Sequence, residues 1–303
     1  MSKKIICVGG YMVDELHISK QPYIPGTSNP VEIKRFAGGV MGNVARQLGL
    51  LDVPVELITV IGKDADSVFL IETLQYCSVQ HDRMLSTENA TGKFTAFIEP
   101  DGSLFAASSS DHTSDFISAQ YLEQLNLDPI QISMILADAN LSKSALQWLI
   151  DFARSYHIPI ILEPVSVPKI KQWYDLNMEG VFMITPNEAE WIAFMEPHEL
   201  IQDRQTELKK RGIQHAWVRK GSEGSDWIDP VNYSEEKISP VLVFDSTGAG
   251  DAALAGWVAG WYWGWDESAC KQAAQVMASA VLSVQGSVHP SLSKAILQDW
   301  MKS

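Results

Sequence analysis

Residues 244–257 read FDSTGAGDAALAGW. Val241, Leu242, Val243 and Phe244 form an apolar run at its start, and small apolar residues ending in Trp257 follow it. The change from a short apolar run to a glycine-punctuated, Ala-rich stretch predicts a strand over 241–245 that turns into a helix near Thr247 or Gly248. The first amides of a helix have no internal partner and lie at the positive end of its dipole. Gly248, Ala249 and Gly250 leave those amides unobstructed, which makes the turn a cradle for an anion. Asp251 falls in the same first turn.

A carboxylate beside an anion cradle suits phosphoryl transfer. The amides stabilise charge on the moving phosphate while the carboxylate accepts the proton of an attacking hydroxyl. Taken alone, these residues read equally well as an Asp cap on a buried helix with glycines for close packing. The pattern is neither GxxxxGK[ST] nor GxGxxG, so it is not a P-loop or a first-turn dinucleotide site.

The rest of the chain sets the frame. Short apolar runs at 5–9, 55–62, 134–138, 158–164, 182–186 and 215–220 read as buried strands. Helical stretches alternate with them, at 38–51, 66–74, near 142–156, from Glu188, and to the end of the chain. This alternation predicts an α/β fold in which helices cover both faces of a mostly parallel central sheet, a three-layer α/β/α sandwich over the whole of 1–303. Two segments do not fit those layers. Residues 11–36 hold three prolines and scattered aromatics, and 91–106 reads as a hairpin around Pro100, Asp101 and Gly102. Together, about 11–36 and 90–110 are expected to form a small β-rich lid. An exposed sheet of this kind has open edges, which pairing with a second copy would cover, so a homodimer through the lid is expected.

Composition narrows the partners. The formal charge is −14 over 303 residues, which argues against a nucleic-acid surface. No run approaches 18 apolar residues, so no membrane span is expected. Cys7, Cys77 and Cys270 are far apart and unpaired in pattern, which reads as reduced thiols in a cytoplasmic protein. Trp257, Trp261 and Trp265 recur at spacing four, the mark of a packed helix face.

AspSerThrGlyAlaGlyAspAlaAlaLeuAlaGly at 245–256 resembles the C-terminal signature of the ribokinase-like (PfkB-type) carbohydrate kinases, and GlyGlyValMetGlyAsnValAla at 38–45 resembles their N-terminal signature. The likeness runs over nearly the whole chain, in the expected order. It implies an ATP- and Mg²⁺-dependent kinase with an alcohol acceptor. Asp251 then matches the catalytic base, and the amides of Gly248, Ala249 and Gly250 the anion hole. Asp14 matches a substrate carboxylate, and Gly38, Gly39 and Asn43 match residues that contact sugar hydroxyls. Asn187 and Glu190, three apart on one helix face, match a motif tied to magnesium through water. Lys220, Gly221 and Gly224 match the glycine turn beside the nucleotide. Asp245 and Thr247 match positions that bind a monovalent cation, K⁺, in some members.

Three stretches, 27–30, 137–149 and 162–166, look closest to the pseudouridine kinase branch, with Glu163 standing where Asp is expected. A ribokinase- or fructokinase-like sugar kinase is the alternative, and a silent ligand-binding protein on the same fold a third reading. On the lid hairpin, Lys93, Phe94 and Phe97 either cover a ring or pack the lid itself or a dimer contact.

Overall fold

The computed structural model describes residues 2–195, 204–238 and 242–302. In chain order its strands are β1 (Lys4–Val8), β2 (Met12–Ser19), β3 (Val31–Gly38), β4 (Val55–Ile58), β5 (Val60–Ile61), β6 (Leu85–Ser86), β7 (Lys93–Ile98), β8 (Leu104–Ser110), β9 (Ile132–Asp138), β10 (Ile160–Glu163), β11 (Met183–Ile184), β12 (His215–Arg219), β13 (Ser225–Ile228) and β14 (Tyr233–Glu236). The helices are α1 (Val40–Leu50), α2 (Ala65–Tyr76), α3 (Thr113–Phe116), α4 (Ala119–Gln124), α5 (Lys143–Ser155), α6 (Val167–Ile170), α7 (Glu188–Met195), α8 (Arg204–Arg211), α9 (Ala249–Tyr262), α10 (Glu267–Leu282) and α11 (Lys294–Trp300).

The main sheet runs β14-β13-β12-β11-β10-β9-β1-β4. From β4 to β12 every pairing is parallel, and β13 and β14 add an antiparallel edge. Its inner strands, such as β1, β9 and β10, are largely apolar because both faces are covered. Successive residues point to opposite sides. Ile5, Cys7, Leu57 and Leu136 pack with α1, α9 and α10, while Ile6, Val8, Ile135 and Leu162 pack with α5 and α7. The result is the expected three-layer sandwich with a mostly parallel central sheet.

β1 lies between β9 and β4, so the chain leaves it in two directions, and the crevice beyond its carboxyl end is the switch point where such sheets bind ligands. Residues 11–36 and 90–110 supply a separate four-stranded sheet, β3-β2-β7-β8, in which β2 and β7 are parallel. Lys93 forms ion pairs there with Glu15 and Asp66, both at 3.3 Å. Phe97 packs against His17 and Tyr23, so these two side chains build the small sheet itself.

Three expectations need correction. The strand anticipated at 241–245 is absent over 242–245, and Val241 lies outside the described residues. Leu242 and Phe244 are 94% and 72% exposed, and the Phe244 amide donates to Leu282 O at the end of α10 (2.8 Å). The sheet edge beside β12 is taken by β13 and β14, two short polar strands the apolar pattern did not reveal. The run at 55–62 divides at Thr59 into β4 and β5, which belong to different sheets. Trp265 lies past the end of α9; only Trp257 and Trp261 share that helix.

Candidate active site

Strand ends build the site. β1 closes in Gly9 and Gly10, and β9 closes in Asp138, which is fully buried. Asp138 accepts the amides of Gly10 (3.0 Å), Met41 (3.3 Å) and Asn140 (2.9 Å), tying the β1 turn to the start of α1. A Cβ on Gly9 would lie 2.4 Å from the Asp138 carboxyl carbon, which accounts for glycine there. Burial raises the Asp138 pKa to about 7.

Gly39 caps α1 with φ 84° and ψ 137°, a conformation open to glycine. A Cβ on Gly38 would fall 2.1 Å from the Asp14 carboxyl, so Asp14 sits directly over Gly38. Among the described residues the Asp14 carboxylate takes no hydrogen bond. Burial pushes its pKa up to about 6, against the pull of the Arg46 guanidinium.

One turn into α1, Asn43 is 4% exposed. Its Nδ2 donates to Asp251 Oδ2 at 2.7 Å, while its Oδ1 accepts from Arg46 and from Ser287 Oγ (2.8 Å). The structure therefore joins the two glycine signatures through one side-chain hydrogen bond. Asp251 is partly buried in the first turn of α9, behind Gly248 at φ 74°. The amides of Gly250 and Asp251 have no partner among the described residues and remain open to an anion. Burial raises the Asp251 pKa to about 7; the Asn43 hydrogen bond and the Arg219 charge oppose that rise, and the Glu163 and Asp138 charges add to it.

The other anticipated residues lie around the same end of the sheet. Asn187 and Glu190 cap α7 reciprocally: the Glu190 amide donates to Asn187 Oδ1 (2.9 Å), and the Asn187 amide to Glu190 Oε2 (2.8 Å). Burial raises the pKa of Glu190, and Glu163 reinforces it. Lys220 is held by Asp226 at 2.6 Å. Gly221, at φ 58°, faces open space, whereas a Cβ on Gly224 would fall 1.9 Å from Glu236 O. Both Asp245 oxygens accept amides, from Thr247 (2.9 Å) and Gly286 (3.1 Å).

Several site residues were not anticipated. Asp138 and Asn140 lay inside a stretch singled out at 137–149, where a carboxylate closing an apolar strand was the available signal. Arg219 closes β12 in the same way, and its guanidinium reaches Glu163 at 2.8 Å. Beside them Lys169 bonds Asn140 and approaches Asp111 (3.5 Å). These three line an open cleft of about 450 Å³ with Ser109 and Gln172. Another cavity, of about 410 Å³, is lined by Trp227, Trp257, Trp261 and Trp265 near the opposite ends of the strands and contains none of the site residues.

Open amides at a helix start, a carboxylate poised to change protonation beside them, and a polar crevice at the switch point define a group-transfer enzyme for an anionic donor and a protic acceptor. A family profile described as pfkB family carbohydrate kinase matches residues 2–295. The chain belongs to this family and is a phosphotransferase with a hydroxyl acceptor. It is 27% identical to the pseudouridine kinase of Escherichia coli K12 over 306 residues, covering 96% of this chain and 94% of that protein. It is 24% identical to the guanosine-inosine kinase of Exiguobacterium acetylicum, covering 97% and 99%. Among solved structures, a carbohydrate kinase from Agrobacterium tumefaciens superposes with a TM-score of 0.84 at 24% identity, covering 99% and 97%. The Arabidopsis thaliana ribokinase complexed with ribose and ATP gives 0.81 at 22% identity, covering all of both chains.

Asn43 carries a direct prediction. Its hydrogen bond favours the ionised form of Asp251, so Asn43→Ala should move the acidic limb of kcat/KM to higher pH by about one unit. Activity should then fall more at pH 6 than at pH 9. A uniform loss across the pH range would show that Asn43 does not act on the titrating group.

Proposed function

We propose that the protein transfers the γ-phosphate of ATP to the primary hydroxyl of a nucleoside, with pseudouridine the preferred acceptor and pseudouridine 5′-phosphate the product. The observation that carries the phosphoryl-transfer reading is Asp251 in contact with Asn43 beside the open amides of Gly250 and Asp251 itself. Asp251 takes the hydroxyl proton as oxygen attacks phosphorus, and the helix-start amides receive the charge on the transferred group. Asp14, above Gly38, accepts no hydrogen bond among the described residues, which leaves its oxygens to meet vicinal hydroxyls. The whole chain acts as a single unit in this reading, with the β3-β2-β7-β8 sheet as a lid that excludes water.

Pseudouridine is favoured by the full-length likeness to the E. coli enzyme and by the Asp138–Asn140 and Glu163–Ser166 stretches. A ribose- or fructose-type sugar kinase is the second reading, supported by the ribokinase neighbour, which was solved with ribose and ATP. Among the described residues no three acid, His or Cys side chains cluster to cage a metal. Asn187 and Glu190 each give one oxygen to the other's amide, so they suit magnesium met through its water shell and carried chiefly by phosphate. When bound with ATP, magnesium neutralises phosphate charge. Asp245 and Thr247 are the proposed place of a monovalent cation, and unchanged turnover on replacing K⁺ with tetramethylammonium would remove it.

ATP consumption measured with magnesium across pseudouridine, uridine, other nucleosides, ribose and fructose is the direct test. Selective turnover of pseudouridine is expected. Selective turnover of a sugar would keep the chemistry and discard the acceptor, and no turnover with any acceptor would favour the silent-binder reading. The exposed strand β8 and the exposed Ile33, Leu104 and Phe105 of the lid sheet support a homodimer through that sheet. A monomeric mass by light scattering would reject it.

A further inference from the structure

We propose that Arg219, clamped by Glu163 across the ends of three adjacent strands, is a positioning residue for phosphoryl transfer that holds the Gly250 turn in place and balances charge around Asp251. The charge-balance part rests on Asp251 being the base; the turn-holding part does not.

Arg219 ends β12, Glu163 ends β10, and Thr185 follows β11 between them. Arg219 Nη2 donates to both Glu163 oxygens at 2.8 Å and to the Thr185 carbonyl. This span gives Glu163 a physical reason to be longer than the expected Asp. One methylene fewer would withdraw the carboxylate by roughly 1.5 Å, the length of a carbon–carbon bond. Glu163 also leads into a strained turn. Val165 has φ 67°, unfavourable for a β-branched residue, and the Ser166 amide closes on Pro164 O at 2.7 Å. Strain of this kind persists where surrounding contacts enforce it.

The other edge of the guanidinium meets the anion turn. Arg219 Nη1 lies 2.4 Å from where a Cβ on Gly250 would stand, so Gly250 rests directly on it. Arg219 Nε is buried without a hydrogen-bond partner among the described residues. A paired buried ion is weak evidence for stability, and an unsatisfied nitrogen adds a desolvation cost. Position is the better account of such a group.

Charge around the site points the same way. Asp251 is faced by Asn43 of α1, itself held by Arg46, and by Asp138 of β9, Glu163 of β10 and Arg219 of β12. Glu190 of α7 adds its field to Arg219 and Glu163. Arg219 favours the ionised form of Asp251, whereas Glu163 and Asp138 favour the protonated form.

The test is a set of pH–rate profiles for Arg219→Met, Glu163→Gln and the double variant, with the fold checked by circular dichroism. Removing the cation should move the acidic limb of kcat/KM up by about one unit, and removing the carboxylate should move it down, as expected for charges near a titrating group. The double variant should fall between them. Displacement of both single variants in the same direction, or of neither, would overturn the charge-balance part. If Asp251→Asn keeps its turnover, the base reading fails and the charge-balance part fails with it. The turn-holding part is read separately, as a rise of about tenfold in KM for ATP in Arg219→Met with acceptor KM unchanged. Equal rises in both constants would overturn that part. Should Arg219→Met fail to fold, Arg219→Lys supplies the same readout: it keeps the charge but not the two-oxygen hold, so the limb should stay and KM for ATP should rise.

Discussion

Asp251→Asn is expected to lower kcat by about 10³-fold while leaving acceptor and ATP binding within a few-fold of wild type, the range seen when a general base is removed. The substitution is nearly isosteric and keeps a group able to meet Asn43 Nδ2, so the fold should not suffer. In the wild-type enzyme the carboxyl, raised to about pH 7 by burial, is protonated below that pH and ionised above it. Only the ionised form accepts a proton, so kcat/KM should climb as pH rises through 7 and level off beyond it. Steady-state kinetics from pH 5.5 to 9, with calorimetric binding of both substrates, measure all three quantities. A variant that turns over normally would remove Asp251 from the chemistry.

Gly39→Ala is expected to destabilise the protein by about 3 kcal/mol and to abolish activity at temperatures where the wild type is folded. Two effects combine at this position. The backbone at φ 84° and ψ 137° disfavours any residue with a Cβ. The added carbon would also stand 2.5 Å from Gly10 O, a backbone atom fixed by the β1 turn. Gly102→Ala is the control: its φ is 86°, but its Cβ would meet nothing within 4 Å. It should lose only the strain part of the effect. Urea unfolding of both variants separates the two contributions, and equal losses would show that the approach to Gly10 is relaxed by a small backbone shift.

Much of this architecture was legible because fully covered strands must be apolar along their length, as in IleIleCysVal and MetIleLeuAla. The turn at Gly248–Gly250 was legible for a local reason, since small residues let an anion come close to the open amides of a helix start. What escaped was set by distant partners. Ser225–Ile228 and Tyr233–Glu236 are short and polar because they form the sheet edge, while the apolar residues 242–244 are exposed because their backbone turns to Leu282. Arg219 carried no pattern of its own. Its role follows from Glu163, Thr185 and Gly250, which share no sequence period with it. Asn43 was visible, but its bond to Asp251 depends on how α1 and α9 pack.

The bond from Asn43 to Asp251 spans 208 residues, and that from Ser287 to Asn43 spans 244. Closing loops of this length costs chain entropy before any contact is returned, which makes such pairings late events in folding. In a refolding experiment, helical signal and core burial should recover first and catalytic competence last. The reactive centre would then report that the two ends of the polypeptide have met.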